Sequence, residues 1–254
     1  MKKNQSIDLL HGLIFKSLSL LAIPIMATYF IQMAYNLVDM LWIGFLGSGA
    51  VASIGVSGNF MYLANGLVNM PKIGSQALVG QSLGANNQEQ TKNYIQAAFQ
   101  SSLFFALIYG IIIIVFQKYL IQLFNLSDPA IIQDAQNYLW ITCGFIVFSF
   151  VNQIFTGILT AAGHSKSTFI ATTTGLVLNL IFDPVLIFVF NLRVIGAALA
   201  TILAQIIVTL VFLYNAKNLD LFRNIRILSK PELNHISKIL KIGFPSSVQS
   251  MLFT

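Results

Sequence analysis

The chain has 254 residues, of which 56% are hydrophobic and only 9% charged, against about a quarter charged in soluble domains. A water-soluble fold cannot hide that much apolar surface, so lipid must be the solvent for much of it. One cysteine, Cys143, excludes a disulfide framework and any paired-cysteine metal motif, and it reads as a small buried apolar residue.

In chain order, residues 1–16 read as a short amphipathic lead-in. Polar residues and His11 interrupt it, so it does not read as a cleaved signal. A spanning helix needs about 20 apolar residues, and six charge-poor windows supply them: roughly 17–46, 48–71, 93–117, 135–163, 167–192 and 194–216. Helices are expected because backbone polar groups in hydrocarbon must be satisfied within the segment. The alternation of a membrane barrel is absent from runs such as Ile111 to Val115. Turns are expected at Gly47–Gly49, Gly84–Glu89, Asn125–Pro129, Gly163–Lys166 and Asn191–Arg193. Residues 217–241 read as a basic linker with amphipathic helical character. A seventh window opens at Ile242 and is still apolar at Thr254. The expected fold is therefore an all-α membrane protein, a bundle of six transmembrane helices with the beginning of a seventh. Leu21–Pro24 and Ile242–Pro245 form a faint internal echo, each opening an apolar window after a basic lead-in. Repeated halves of transporters leave such traces, so 242–254 is expected to start a second lobe, truncated here.

The net charge of +6 does not point to nucleic acid. With the N-terminus inside, Lys2, Lys3, Lys16, Lys92, Lys166, Lys217, Arg223, Arg226, Lys230, Lys238 and Lys241 all lie on the cytoplasmic side. Lys118 and Arg193 alone lie opposite. That bias fixes the orientation and brings the basic segments to anionic headgroups. Lys72, after Pro71, reads as a side chain snorkelling to the inner headgroups. Gly44, Gly47, Gly66, Gly74, Gly157 and Gly163 read as close packing and turns.

Of eight acidic residues, Asp8, Glu89, Asp128, Asp134, Asp220 and Glu232 reach water or an interface. Asp39 and Asp183 do not. Ionisable residues in a span are costly and point to function. Asp39 precedes the turn at Gly47 by eight residues, Asp183 precedes Asn191 by eight, and Thr201 follows Arg193 by eight. At 1.5 Å per residue all three sit roughly 12 Å below one boundary. Asn179 shares a helix face with Asp183, and Pro184 frees the Leu180 carbonyl. Two carboxylates, an amide, a hydroxyl and a carbonyl at one depth suit Na⁺ or a shared proton. Helix–helix bonding by the same groups is the competing reading. Catalysis is poorly provided for: His11, His164 and His235 all fall in inside-facing segments, and no Gly-x-Gly-Asp signature precedes Asp183. An intramembrane aspartyl enzyme is therefore the remote alternative, and no resident cofactor is expected.

Five motifs in order resemble the multidrug and toxic compound extrusion (MATE) transporters. They are Tyr35–Gly47 around Asp39, Gln81–Ala85, Gly157–Gly163, Asn179–Pro184 and Gly196–Thr201. The resemblance covers essentially the whole chain and implies the first of two six-helix lobes. It implies export of small cationic or amphipathic drugs in exchange for Na⁺ or H⁺, with the second lobe and the bilayer as partners and the cytoplasmic membrane as the location. It also implies a cation site at Asp39, Asn179, Asp183 and Thr201, a set reached above from depth. Lys72 departs from the pattern. A lipid-linked oligosaccharide flippase of similar architecture is the transport alternative; it calls for basic cavity walls, for which Lys72 is the single candidate.

Overall fold

The computed structural model describes residues 14–217, 219–223, 225 and 230–252. Most of the lead-in expected at 1–16, with Lys2, Lys3, Asp8 and His11, lies outside them, as do Arg226 of the linker and Thr254. The described residues are helical and contain no strand. Eight α-helices follow one another: α1 Ile14–Gly44, α2 Ser48–Gly84, α3 Gln88–Gln122, α4 Pro129–Gly144, α5 Ile146–Ala161, α6 Ser165–Pro184, α7 Arg193–Lys217 and α8 Leu233–Leu252. A π-helical turn, Val185–Val189, extends α6, and a 3₁₀ turn, Asp220–Phe222, lies in the linker. By length and composition α2, α3, α6 with its π turn, and α7 can cross a membrane. A fifth crossing results if α4 and α5 act together.

The turns carry the chemistry their sequences offer. Gly47 sits at φ +101°, a backbone region that a side chain would strain, and lets the chain reverse between α1 and α2. Asn87 caps α3, its Oδ1 accepting from the Gln90 N–H at 3.0 Å. Asp128 caps α4 through the Ala130 N–H at 2.8 Å, with Pro129 in the first helical position. Gly163 at φ +76° closes α5, while the His164 N–H reaches back to the Leu159 carbonyl at 2.8 Å.

α2 carries Lys72 within it and ends at Gly84, at the turn read from the sequence. Two expectations need correction. The window 135–163 is one run by composition but two helices in space, bent by 50° at Phe145. The bend brings the Cys143 carbonyl against α3 at Gly110, where a Cβ would stand 2.9 Å from that oxygen. The seventh helix does not begin at Ile242: α8 starts at Leu233, inside the expected linker, because Ile239 and Gly243 lie one turn apart on a face buried against α2 and α3.

The core is divided lengthwise. At the end holding the turns after α2 and α5, Val79, Ile95, Ile158 and Leu159 pack with an aromatic group. Phe155 stacks on Phe212 at 5.4 Å and meets Phe99 edge-on at 4.9 Å. Phe222 of the linker closes on Phe155 at 5.5 Å. At the opposite end Ile43, Ala50, Ile187 and Val194 join α1, α2, the π turn and α7. Phe30, Met33, Leu37, Ile111, Val115 and Tyr214 stay exposed, an outward apolar surface suited to lipid.

Candidate functional site

Two helices each present a pair of polar residues one turn apart: Tyr35 and Asp39 on α1, Asn179 and Asp183 on α6. Because α1 packs along α6, the pairs meet. The Tyr35 hydroxyl donates to Asn179 Oδ1, and Asn179 Nδ2 donates to Asp183 Oδ1 at 3.0 Å. The Asp39 and Asp183 carboxyl groups are neighbours across the α1–α6 contact. Tyr138 of α4 stands beside both. Asp183 is fully buried, and its Oδ2 lacks a hydrogen-bond partner of good geometry among the described residues.

This accounts for three of the four residues expected from depth: Asp39, Asn179 and Asp183 come together. Thr201 is near but differently engaged. Its hydroxyl donates to the Ala197 carbonyl of its own helix at 3.1 Å, and it shares a cavity wall with Tyr35 and Asn179. Its lone pairs remain free to accept. After Pro184, which has no N–H to donate, α6 widens into the π turn, with the Phe190 N–H bonded to the Val185 carbonyl at 3.0 Å.

Sequence reasoning named Tyr35 only as the start of the motif around Asp39, without assigning it a role, and left Tyr138 unmentioned. Tyrosine is ordinary in apolar helices; the usable signal for Tyr35 was its spacing of four from Asp39, the same spacing that links Asn179 to Asp183.

Chemically the arrangement is an oxygen-rich, acidic knot with no basic partner among the described residues. Two carboxylates in a low-dielectric setting repel, and a proton held between them or a small hard cation relieves the repulsion. Carboxylate, amide and phenol oxygens are the donor types that Na⁺ accepts. Among the described residues no group of three or more His, Cys, Asp or Glu comes together.

The knot adjoins a cavity of about 610 Å³ between α1, α2, α5, α6, α7 and α8. Its wall is rich in amides and hydroxyls. Asn152 binds the Gln205 amide oxygen at 2.7 Å and accepts from Thr209 at 2.8 Å. Lys72 lines the same space, its Nζ donating to Gln153 Oε1 at 2.7 Å. The expected snorkelling is therefore replaced by an inward ammonium.

The MatE family model matches residues 24–185. The multidrug export protein MepA of Staphylococcus aureus (strain bovine RF122 / ET3-1) is 27% identical over 245 residues, covering 94% of this chain and 53% of that protein. The chain thus spans about half the length of the curated relatives it matches. A crystal structure of MATE in complex with MaD3S superposes with a TM-score of 0.90 at 24% identity, over 97% of this chain and 56% of that one. An outward-facing multidrug resistance MATE family transporter of the MOP superfamily gives 0.83 at 25% identity, over 99% and 56%.

Proposed function

The chain belongs to the MatE family, and from that premise we propose that it forms the first lobe of a cation-coupled exporter of small amphipathic molecules, organic cations among them. The lobe spans 17–216 and crosses six times: α1, α2, α3, the bent α4–α5 pair, α6 with its π turn, and α7. Residues 217–241 link it to a second lobe beginning at 242–254. The location is the cytoplasmic membrane, with the N-terminus inside, so that the turn at Gly47 faces out.

One observation carries this reading: two carboxyl groups without a basic partner among the described residues, joined through Asn179 and Tyr35 to a polar cavity. Na⁺ or a proton occupying Asp39 and Asp183, with Asn179 and Thr201 supplying further oxygens, favours one packing of α1 on α6. Cargo binding in the cavity favours the other. Exchange follows from that difference in affinity between two conformations. The likeness to MepA, named as a multidrug export protein, supports the cargo class.

The test is efflux by the intact gene product in proteoliposomes, with Na⁺ and pH gradients imposed separately. Asp39→Asn and Asp183→Asn each keep side-chain size and remove the charge. Each is expected to lower gradient-driven efflux by about tenfold or more, a loss of at least 1.4 kcal/mol of coupling. Undiminished efflux in both variants overturns the mechanism.

A further inference from the structure

Lys72 is a charge placed with care. It lies twelve residues before Gly84, about 18 Å along α2 from that end of the helix. The stem is accommodated by α5: a Cβ at Gly157 would stand 3.2 Å from Lys72 Cγ and 3.1 Å from its carbonyl oxygen. The bonded partner, Gln153, is neutral. An ammonium has three donors, and Gln153 takes one. No Asp or Glu lines the cavity among the described residues. The acid–base contacts among those residues, Asp220 with Arg223 and Glu232 with His235, belong to the linker and the start of α8. Asp39 and Asp183 sit behind Tyr35 and Asn179, off the cavity wall.

A cation in a low-dielectric wall with no counter-ion is costly, and it concentrates anions beside it. Gln76, one turn along α2, lines the cavity next to it and adds an amide donor suited to a second carboxylate oxygen. Tyr29 and Tyr62 line the same space and offer ring faces to an apolar body.

We infer that this cavity binds amphipathic molecules bearing a carboxylate, held by the inward ammonium of Lys72 with Gln76 and Gln153 beside it. The cargo is an organic anion or a zwitterion, and the recognised feature is the anionic oxygen. This deepens the proposed export function by naming a substrate class. It concerns binding alone, so it can be tested apart from ion coupling.

The experiment is a fluorescence titration of the intact gene product in nanodiscs, without any gradient, using anthracene-9-carboxylate and its uncharged carboxamide. The carboxylate is expected to bind about tenfold tighter, as a charge-assisted hydrogen bond allows. Lys72→Gln should abolish that preference and Lys72→Arg should keep it. Competition with dihexanoyl phosphatidic acid separates a soluble cargo from a lipid headgroup. Equal affinities for the two probes in the unaltered protein overturn the inference, whatever the folding of the variants. So does a preference that survives in Lys72→Gln, or an anthracene carboxylate that fails to bind where the lipid phosphate does. Loss of efflux in the Asp39 and Asp183 variants leaves this titration unaffected, so the two proposals fail separately.

Discussion

Tyr35 ties the α1–α6 knot to its surroundings: its hydroxyl fixes the Asn179 carbonyl oxygen, which turns the amide nitrogen toward Asp183. A charge in an apolar window stands out in a sequence, and Asp39, Asp183 and the neighbouring Asn179 were legible for that reason. Phenols do not stand out, and Thr201 was found by depth but not by bonding, because a helical threonine can spend its hydroxyl on its own backbone. Residue by residue, a further effect appears at the turn between α5 and α6. Burial pushes the His164 imidazole below its ordinary range, while its carbonyl accepts the Ser167 and Thr168 N–H groups. The unfolded chain then holds a proton that the folded one releases, in the window just below the usual histidine pKa of about 6.5. Stability therefore rises with pH through that window and is lost as pH falls through it. Thermal unfolding in detergent across the window should show this slope, and His164→Gln should flatten it.

Elements were legible in order more than in shape. Hydropathy reports that a segment is apolar and says nothing of its direction, so the 50° bend at Phe145 was invisible in an unbroken apolar run. At α2 the apolar window closes before Lys72, yet the polar run at Gly84–Glu89 marks where the helix ends. Glycines expected at close contacts are found there at Gly66, Gly74 and Gly157, whereas Gly44 has open space around it. The tightest contact joins α2 and α8. A Cβ at Gly74 would fall 1.9 Å from the Ile239 carbonyl oxygen, and one at Gly243 1.8 Å from that of Met70. Gly74→Ala must push two backbones apart and should cost about 1–3 kcal/mol. Gly55→Ala, on the same helix with nothing within 4 Å, should gain about 0.5–1 kcal/mol from helix propensity. Melting temperatures of the two variants should move in opposite directions.

For the whole molecule, class and family were readable from composition and five ordered motifs, since lipid imposes apolar length on every span and leaves charge to the ends. Orientation rests on the basic residues alone and is directly testable. Glu89→Cys sits in the first turn of α3 and Ser127→Cys before α4, both exposed, while the native Cys143 is buried. A membrane-impermeant maleimide applied to intact cells should label Ser127→Cys and spare Glu89→Cys. The reverse pattern would invert the assigned topology, and with it the face on which the carboxyl pair opens.

The seam between α2 and α8 also bears on how such a transporter would rock. By its sequence echo α8 pairs with α1, and among the described residues it packs on α2 and α3. Its Ser247 hydroxyl grips the Gly66 carbonyl at 2.7 Å, and its backbone lies flush on α2 at two glycines. A second lobe that opens within α8 must therefore slide along or break this two-glycine seam to move against the first.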